Sequence, residues 1–210
     1  MRLVLATRNA HKAREFATLL APHEIVPLPD EVELPPETGE TFEANAREKA
    51  LAAARATGLP AIADDSGIEA AALGGAPGVR SARYAGEDAT DEENLAKLLR
   101  EAPAGSPLAY VCALVLAEPR APGGGASGGG ARGGCAPGDA DAVVVHAVEG
   151  RCTGTLDTDP RGDGGFGYDP AFLPDDLTDG CTMAELQAHE KDAISHRGRA
   201  ARALLACLDA

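Results

Sequence analysis

No apolar run in this 210-residue chain approaches the ~18 consecutive positions of a membrane-spanning helix, so no membrane partner is expected. The opening residues, MRLVLATRNAHK, carry too short an apolar stretch for a secretory signal. The cysteines (Cys112, Cys135, Cys152, Cys181 and Cys207) are odd in number and form no CxxC. Neither a disulfide framework nor a zinc site is indicated, and a reducing, cytoplasmic setting accounts for them. Basic residues are scarce: 19 Lys and Arg stand against 33 Asp and Glu, a formal net charge of −14. That balance argues against nucleic acid, which demands a basic footprint, and equally against an anionic membrane surface. An anionic small molecule remains open wherever a few cations or a metal ion gather. The pattern GxxxxGK[ST] is also missing, which excludes a P-loop.

What the chain does contain is an ordinary folded composition, 44% hydrophobic and 25% charged. Its length suits one domain over residues 1–210 with a sizeable core. Apolar periodicity alternates between strand and helix. Strands are predicted at Arg2–Ala6, Glu24–Pro27, Ala61–Asp65, Leu108–Leu116 and from Ala142 onward. Helices are predicted through KAREFATLL, over Thr41–Thr57 closed by Gly58, through ENLAKLLREA behind a Thr90/Glu93 capping box, and after Ser195. Between the two longest strands, 118–141 is rich in Gly, Ala, Ser and Pro and reads as a flexible insertion without a function of its own.

The stretch AIADDSG carries the most chemistry. An apolar strand delivers Asp64 and Asp65 to a Ser66-Gly67 turn that is expected to end it. Alternation along a strand places one carboxylate inward and the other toward a cleft. A carboxylate so held suits a divalent cation or a general base, although the pair read alone also fits a solvated turn. On the second helix, Thr41, Asn45 and Lys49 recur at i, i+4 and i+8, one stripe that faces either a cleft or solvent. The letters GDGGFG at Gly162–Gly167 match GxGxxG, but Pro170 and Pro174 follow where a helix should start, so the dinucleotide reading fails. The glycines instead offer Phe166 as an open ledge for a flat base. Ser195 caps the last helix, which puts His196 and Arg197 in its first turn. Cations are unfavourable there, and the pair suits either an anion or carbonyl oxygen, or plain solvation.

Taken in order, TRNAHK, ETGETFEANAREKA, IADDSG, LGGAPGVRSARYAG, GGFGYDP and ISHRGRA resemble the inosine/xanthosine triphosphate pyrophosphatase family. The resemblance spans the chain apart from the Gly-rich stretch. It implies a two-lobed α/β fold with a long central mixed sheet flanked by helices and an active site in the cleft between the lobes. It also implies Mg2+-dependent hydrolysis of ITP, dITP or XTP to the monophosphate and pyrophosphate, in a homodimer. Asp65 matches the family's catalytic carboxylate and metal ligand, and Glu37 a second metal-associated acid. Thr7, Arg8, Asn9, Ala10, His11, Lys12, Lys49 and Ser66 match the residues that hold the triphosphate. Phe166, Gly167, Tyr168 and Asp169 match the base ledge; Lys191, His196 and Arg197 match residues that close over the nucleotide. Two positions depart from the pattern: Ala44 stands where relatives often carry Glu, and Arg8 where many carry Gly, adding either bulk or a charge toward phosphate. A Maf-like pyrophosphatase and a non-enzymatic nucleotide sensor are the competing readings.

Overall fold

The computed structural model describes residues 1–120 and 141–209; most of the expected insertion at 118–141 lies outside them. Within them six strands form one mixed sheet: β1 (Arg2–Leu5), β2 (Glu24–Pro27), β3 (Ala61–Ala70), β4 (Pro107–Pro119), β5 (Ala142–Leu156) and β6 (Phe172–Pro174). Their order is β2-β1-β3-β4-β5-β6. β1 runs parallel to β2 and β3, and the remaining pairs are antiparallel. Among the described residues, five α-helices flank this α/β sheet: α1 (Ala10–Leu19), α2 (Phe42–Thr57), α3 (Asp91–Glu101), α4 (Ala188–Ile194) and α5 (His196–Leu208).

Local chemistry explains where the helices begin. Asn9 caps α1 by accepting from the His11 and Lys12 amides, and Thr41 caps α2 by accepting from Ala44. Thr90 and Glu93 close a reciprocal capping box at α3, and Ser195 caps α5 through the Gly198 amide. Gly58, at φ 65°, ends α2 in the left-handed conformation that glycine adopts without strain.

Alternation along β3 sorts the core onto two faces. Ile62 joins Leu3, Leu5, Leu114 and Leu116 beneath Phe16 of α1 and Ala200, Ala201 and Leu204 of α5. Ala61 and Ala63 join Val111, Ala113 and Val115 beneath Ala46, Ala50 and Ala53 of α2, whose small side chains let the helix lie close to the sheet. A third core gathers at the far end of β3 to β5 around Ile68, Leu98, Tyr110 and Phe172.

Two features of the sheet shape the site. β1 pairs with β3 only at Val4↔Ala61 and Leu5↔Ile62, so from Ala63 until an isolated bridge at Glu69↔Pro77 that edge of β3 has no strand neighbour among the described residues. The other edge is paired throughout, from Ala61↔Ala117 to Ala70↔Leu108. That pairing corrects the expected end of the strand at Ser66-Gly67, because β4 carries β3 on to Ala70. Gly67 marks a close approach, not a stop: a Cβ there would lie 2.6 Å from the Gly78 carbonyl and collide with Ser81 Oγ. Gly150 on β5 plays the same part for α5, since a Cβ would strike the His196 carbonyl and the Ala200 amide. The obstacle is helix backbone, which has no rotamer to adjust. Gly150→Ala should therefore cost about 1–3 kcal/mol in urea unfolding, the ordinary range for overpacking; an unchanged midpoint would show that α5 shifts freely.

Candidate active site

Where β3 loses its β1 neighbour, the β1–α1 turn, α2, β3, the 164–169 loop and the start of α5 enclose a cleft of about 450 Å³. Of the residues singled out from sequence, Thr7, Arg8, Asn9, His11, Lys12, Glu37, Lys49, Asp65, Ser66, Phe166–Asp169, His196 and Arg197 line it. Ala10 and Lys191 do not. Ala10 opens α1 with its side chain outside the lining. The Lys191 ammonium is held by Asp169 at 2.8 Å and Glu15 at 3.3 Å. Thr41 is absent from the lining too, its hydroxyl spent on the α2 cap, and Ala44 places nothing in the cleft.

The adjacent carboxylates are both buried, 1% and 4% exposed, and face opposite sides of β3. Asp64 turns toward α1 and α5. Lys12 Nζ lies 2.8 Å from its Oδ2, Arg197 Nε 3.8 Å away, and Ser66 Oγ donates to it at 3.0 Å. Burial alone would raise its pKa, but the charges of Lys12, Arg197 and Lys49 outweigh that and hold the carboxyl well below the usual range. Asp65 turns toward α2 and the cleft. Its Oδ2 accepts from Asn45 Nδ2 at 2.8 Å and its Oδ1 from the Ser66 amide at 3.0 Å, which fixes its orientation. Lys49 Nζ is 4.0 Å away and closer to Glu37, at 2.5 Å. Burial therefore prevails and, with the Glu37 charge, pushes the Asp65 pKa up against the pull of Lys49 and Asn45. Burial tends to lower the Lys49 pKa, but Asp64, Glu37 and Asp65 together raise it.

The opposite wall is aromatic and cationic. The Phe166 ring lies 5.3 Å from His11 between centroids, with Lys191 Nζ at 5.1 Å and Arg197 Cζ at 4.9 Å from its centre. Asp169 is buried beneath it and fully engaged, accepting from Tyr110 Oη at 2.9 Å, Lys191 at 2.8 Å and the Phe166 amide at 2.9 Å. The His196 ring stacks on Tyr110 at 4.7 Å and 8°. Burial, then the charges of Arg197 and Lys191, hold His196 well below its usual pKa, so it is neutral near pH 7. Its Nδ1 has no hydrogen-bond partner among the described residues. Arg197 is likewise buried, donating to Glu15 Oε2 at 3.0 Å and Ser66 Oγ at 2.9 Å, so solvation is not what holds it at the α5 terminus.

Three contributors were not singled out from sequence. Glu15, one turn beyond Lys12 on α1, neutralises both Lys191 and Arg197; its i, i+3 spacing from Lys12 was the available signal. Tyr110 sits inside an apolar strand, and Arg83 donates to the Glu37 carbonyl at 3.1 Å. Neither has a local signature, because the partners of both lie far along the chain. Arg8, expected to add either bulk or a charge toward phosphate, lines the cleft with its guanidinium on the backbone carbonyls of residues 28–32.

The carboxylates thus differ in what they do for stability. The lowered pKa of Asp64 means its ionised form stabilises the fold above the ordinary carboxyl range, a contribution lost as pH falls through the lowered value. The raised pKa of Asp65 means that at pH 7 its charge opposes folding. Asp64→Asn should then cost about 3–5 kcal/mol in urea unfolding at pH 7, as for one partner removed from a buried pair. Asp65→Asn should unfold at the same or a higher urea concentration than the parent; equal losses in the two variants would contradict the assignment.

The Ham1 family model matches residues 3–207. The chain is 46% identical to a protein of Geobacillus kaustophilus named dITP/XTP pyrophosphatase, over 94% of this chain and 89% of that one. It is 45% identical to a Shigella flexneri protein of the same name, over 99% and 98% respectively. Among solved structures, a HAM1 protein from Coxiella burnetii superposes with a TM-score of 0.79 at 36% identity, covering 100% of this chain and 98% of that one.

Proposed function

Since the chain belongs to the Ham1 family, we propose that it hydrolyses the non-standard purine triphosphates dITP, ITP and XTP to the monophosphate and pyrophosphate. The observation that carries this reading is Asp65: a buried, cleft-facing carboxylate with both oxygens anchored and its pKa raised. Raising the pKa makes a carboxylate a better proton acceptor, and anchoring it lets it orient a water molecule. The lone pairs left by Asn45 and Ser66 are those available to that water or to a cation.

Mg2+ fits the donor set. Glu37 and Asp65 offer hard oxygens on either side of Lys49, and Mg2+ usually takes one or two carboxylates together with substrate phosphates. When bound, the ion neutralises phosphate charge and polarises the phosphoryl oxygens. Lys12 and Lys49 would hold the triphosphate, each cation already paired with a carboxylate so that the site is not over-charged when empty. Ser66 links the two sides, accepting from Arg197 and donating to Asp64.

Phe166 offers the base a stacking face beside Arg197. Hypoxanthine and xanthine carry an oxygen at C6, which a donor such as Arg197 or a backbone amide would satisfy. Adenine presents an amino group there, leaving a buried donor unpaired at a cost of about 1–3 kcal/mol. We place the enzyme in the cytoplasm as a homodimer. For the dimer, support comes from the β5 edge before Gly154, which has no strand partner among the described residues, and from the exposed Val143 and Val145 on that strand.

The test is turnover of ITP, XTP, ATP, GTP and dTTP with Mg2+, with nucleotides resolved by chromatography and pyrophosphate assayed. IMP plus pyrophosphate from ITP, with ATP and GTP largely spared, is expected; similar hydrolysis of all five, or of none, would overturn the proposal. Asp65→Asn should bind nucleotide yet lose at least ~100-fold in turnover, and sedimentation equilibrium should return twice the chain mass.

A further inference from the structure

Between β2 and α2, residues 28–41 form no helix or strand, yet this connector carries Glu37, and its Leu34 and Pro35 line the cleft. Its backbone has no ladder to hold it, so its position must come from side chains. At its far end the Gly39 amide donates to Asn45 Oδ1 at 2.7 Å, Arg83 donates to the Glu37 carbonyl, and Lys49 binds the Glu37 carboxylate. At its near end Leu28 is buried in the α2-side core with Val32 and Leu34 packed against it, and one side chain supplies the long-range polar contacts. Arg8 Nη1 donates to the Leu28 carbonyl at 2.9 Å, and Nη2 to those of Pro29, Asp30 and Val32 at 2.7, 3.2 and 2.8 Å. The Asp30 carboxylate adds an ion pair at 3.5 Å.

Arg8 itself sits in the β1–α1 turn between Thr7 and Asn9, where the Asn9 amide donates to Thr7 Oγ1 at 3.2 Å and the Asn9 side chain caps α1. One guanidinium therefore ties the turn that would hold the triphosphate to the connector that carries Glu37. Building on the function proposed above, we propose that Arg8 is a positioning residue that places Glu37, and acts on the metal requirement of the reaction without touching phosphate. The chemistry of the side chain supports this. Both terminal nitrogens already face carbonyls, and a planar fork of donors is what a run of carbonyls needs. A phosphate contact would ask only for charge, which lysine also supplies; the compact lysine ammonium cannot span acceptors spread over residues 28–32.

That difference provides the test: Arg8→Lys and Arg8→Gln, each also made with Glu37→Gln. Hydrogen exchange of the 28–41 amides is measured without nucleotide or metal, and ITP turnover as a function of Mg2+ and of ITP. The proposal expects faster exchange over 28–41 in both single variants, with lysine giving no rescue. The half-saturating Mg2+ concentration should rise at least about threefold, the low end of coupling between interacting neighbours, and Glu37→Gln should abolish any further effect of changing Arg8. Parental exchange and Mg2+ dependence in Arg8→Lys would overturn it, as would a raised KM for ITP that lysine rescues at unchanged Mg2+ dependence. If the parent protein hydrolyses no triphosphate, the proposed function fails while the exchange measurement still decides whether Arg8 holds the connector.

Discussion

Two neighbouring carboxylates buried in one strand impose the constraint around which this molecule is arranged. An uncompensated buried carboxylate costs several kcal/mol. Because side chains alternate on β3, Asp64 and Asp65 must find compensation on opposite faces of the sheet. Lys12 and Arg197 reach Asp64 from the first turns of α1 and α5; Asn45 and Lys49 reach Asp65 from α2. Three helices are thereby drawn to one point on the sheet. The early end of β1 leaves that point open, and a packed core becomes a cleft.

The compensation is unequal, and the inequality divides the labour. Asp64 has two cations and a hydroxyl, and its charge is tightly held. Asp65 has one amide side chain, one backbone amide and an ammonium that lies closer to Glu37. A carboxylate left short of positive charge is a cost to the fold and an asset to a site that must accept a proton or a cation, the usual tension between stability and function. The same logic reconciles a net charge of −14 with an anionic substrate class. Each cation of the cleft is matched locally to a carboxylate, and the connector anchored by Arg8 keeps Glu37 within reach of Lys49.

Much of this was legible before any coordinates. The second strand at Glu24–Pro27, the caps at Thr90 and Ser195, the small-residue face of α2 and the opposite facing of Asp64 and Asp65 all follow from local pattern, whereas Thr41, read as the first residue of its helix, proved to be its cap. Such features depend on neighbours a few residues away, which is the range over which periodicity and capping act. The letters of the ordered motifs also sufficed to identify the family. Ser66-Gly67 misled because glycine marks both turns and close approaches, and only the β4 register with Ser81 above it separates the two.

By itself, then, the sequence determined the alternation of strands and helices through β5, the starts of α3 and α5, and which residue types could serve a phosphorylated substrate, while α1 began two residues earlier than read and α4 was not foreseen. Tertiary structure alone decided which of them meet. Lys191 went to Asp169 and Glu15 and left the lining, Tyr110 was set under His196, and the Arg8 guanidinium was set on the 28–32 carbonyls. The physical reason is range: a charge or a donor is satisfied by whatever the fold brings within about 3 Å, and sequence separation places no limit on that partner.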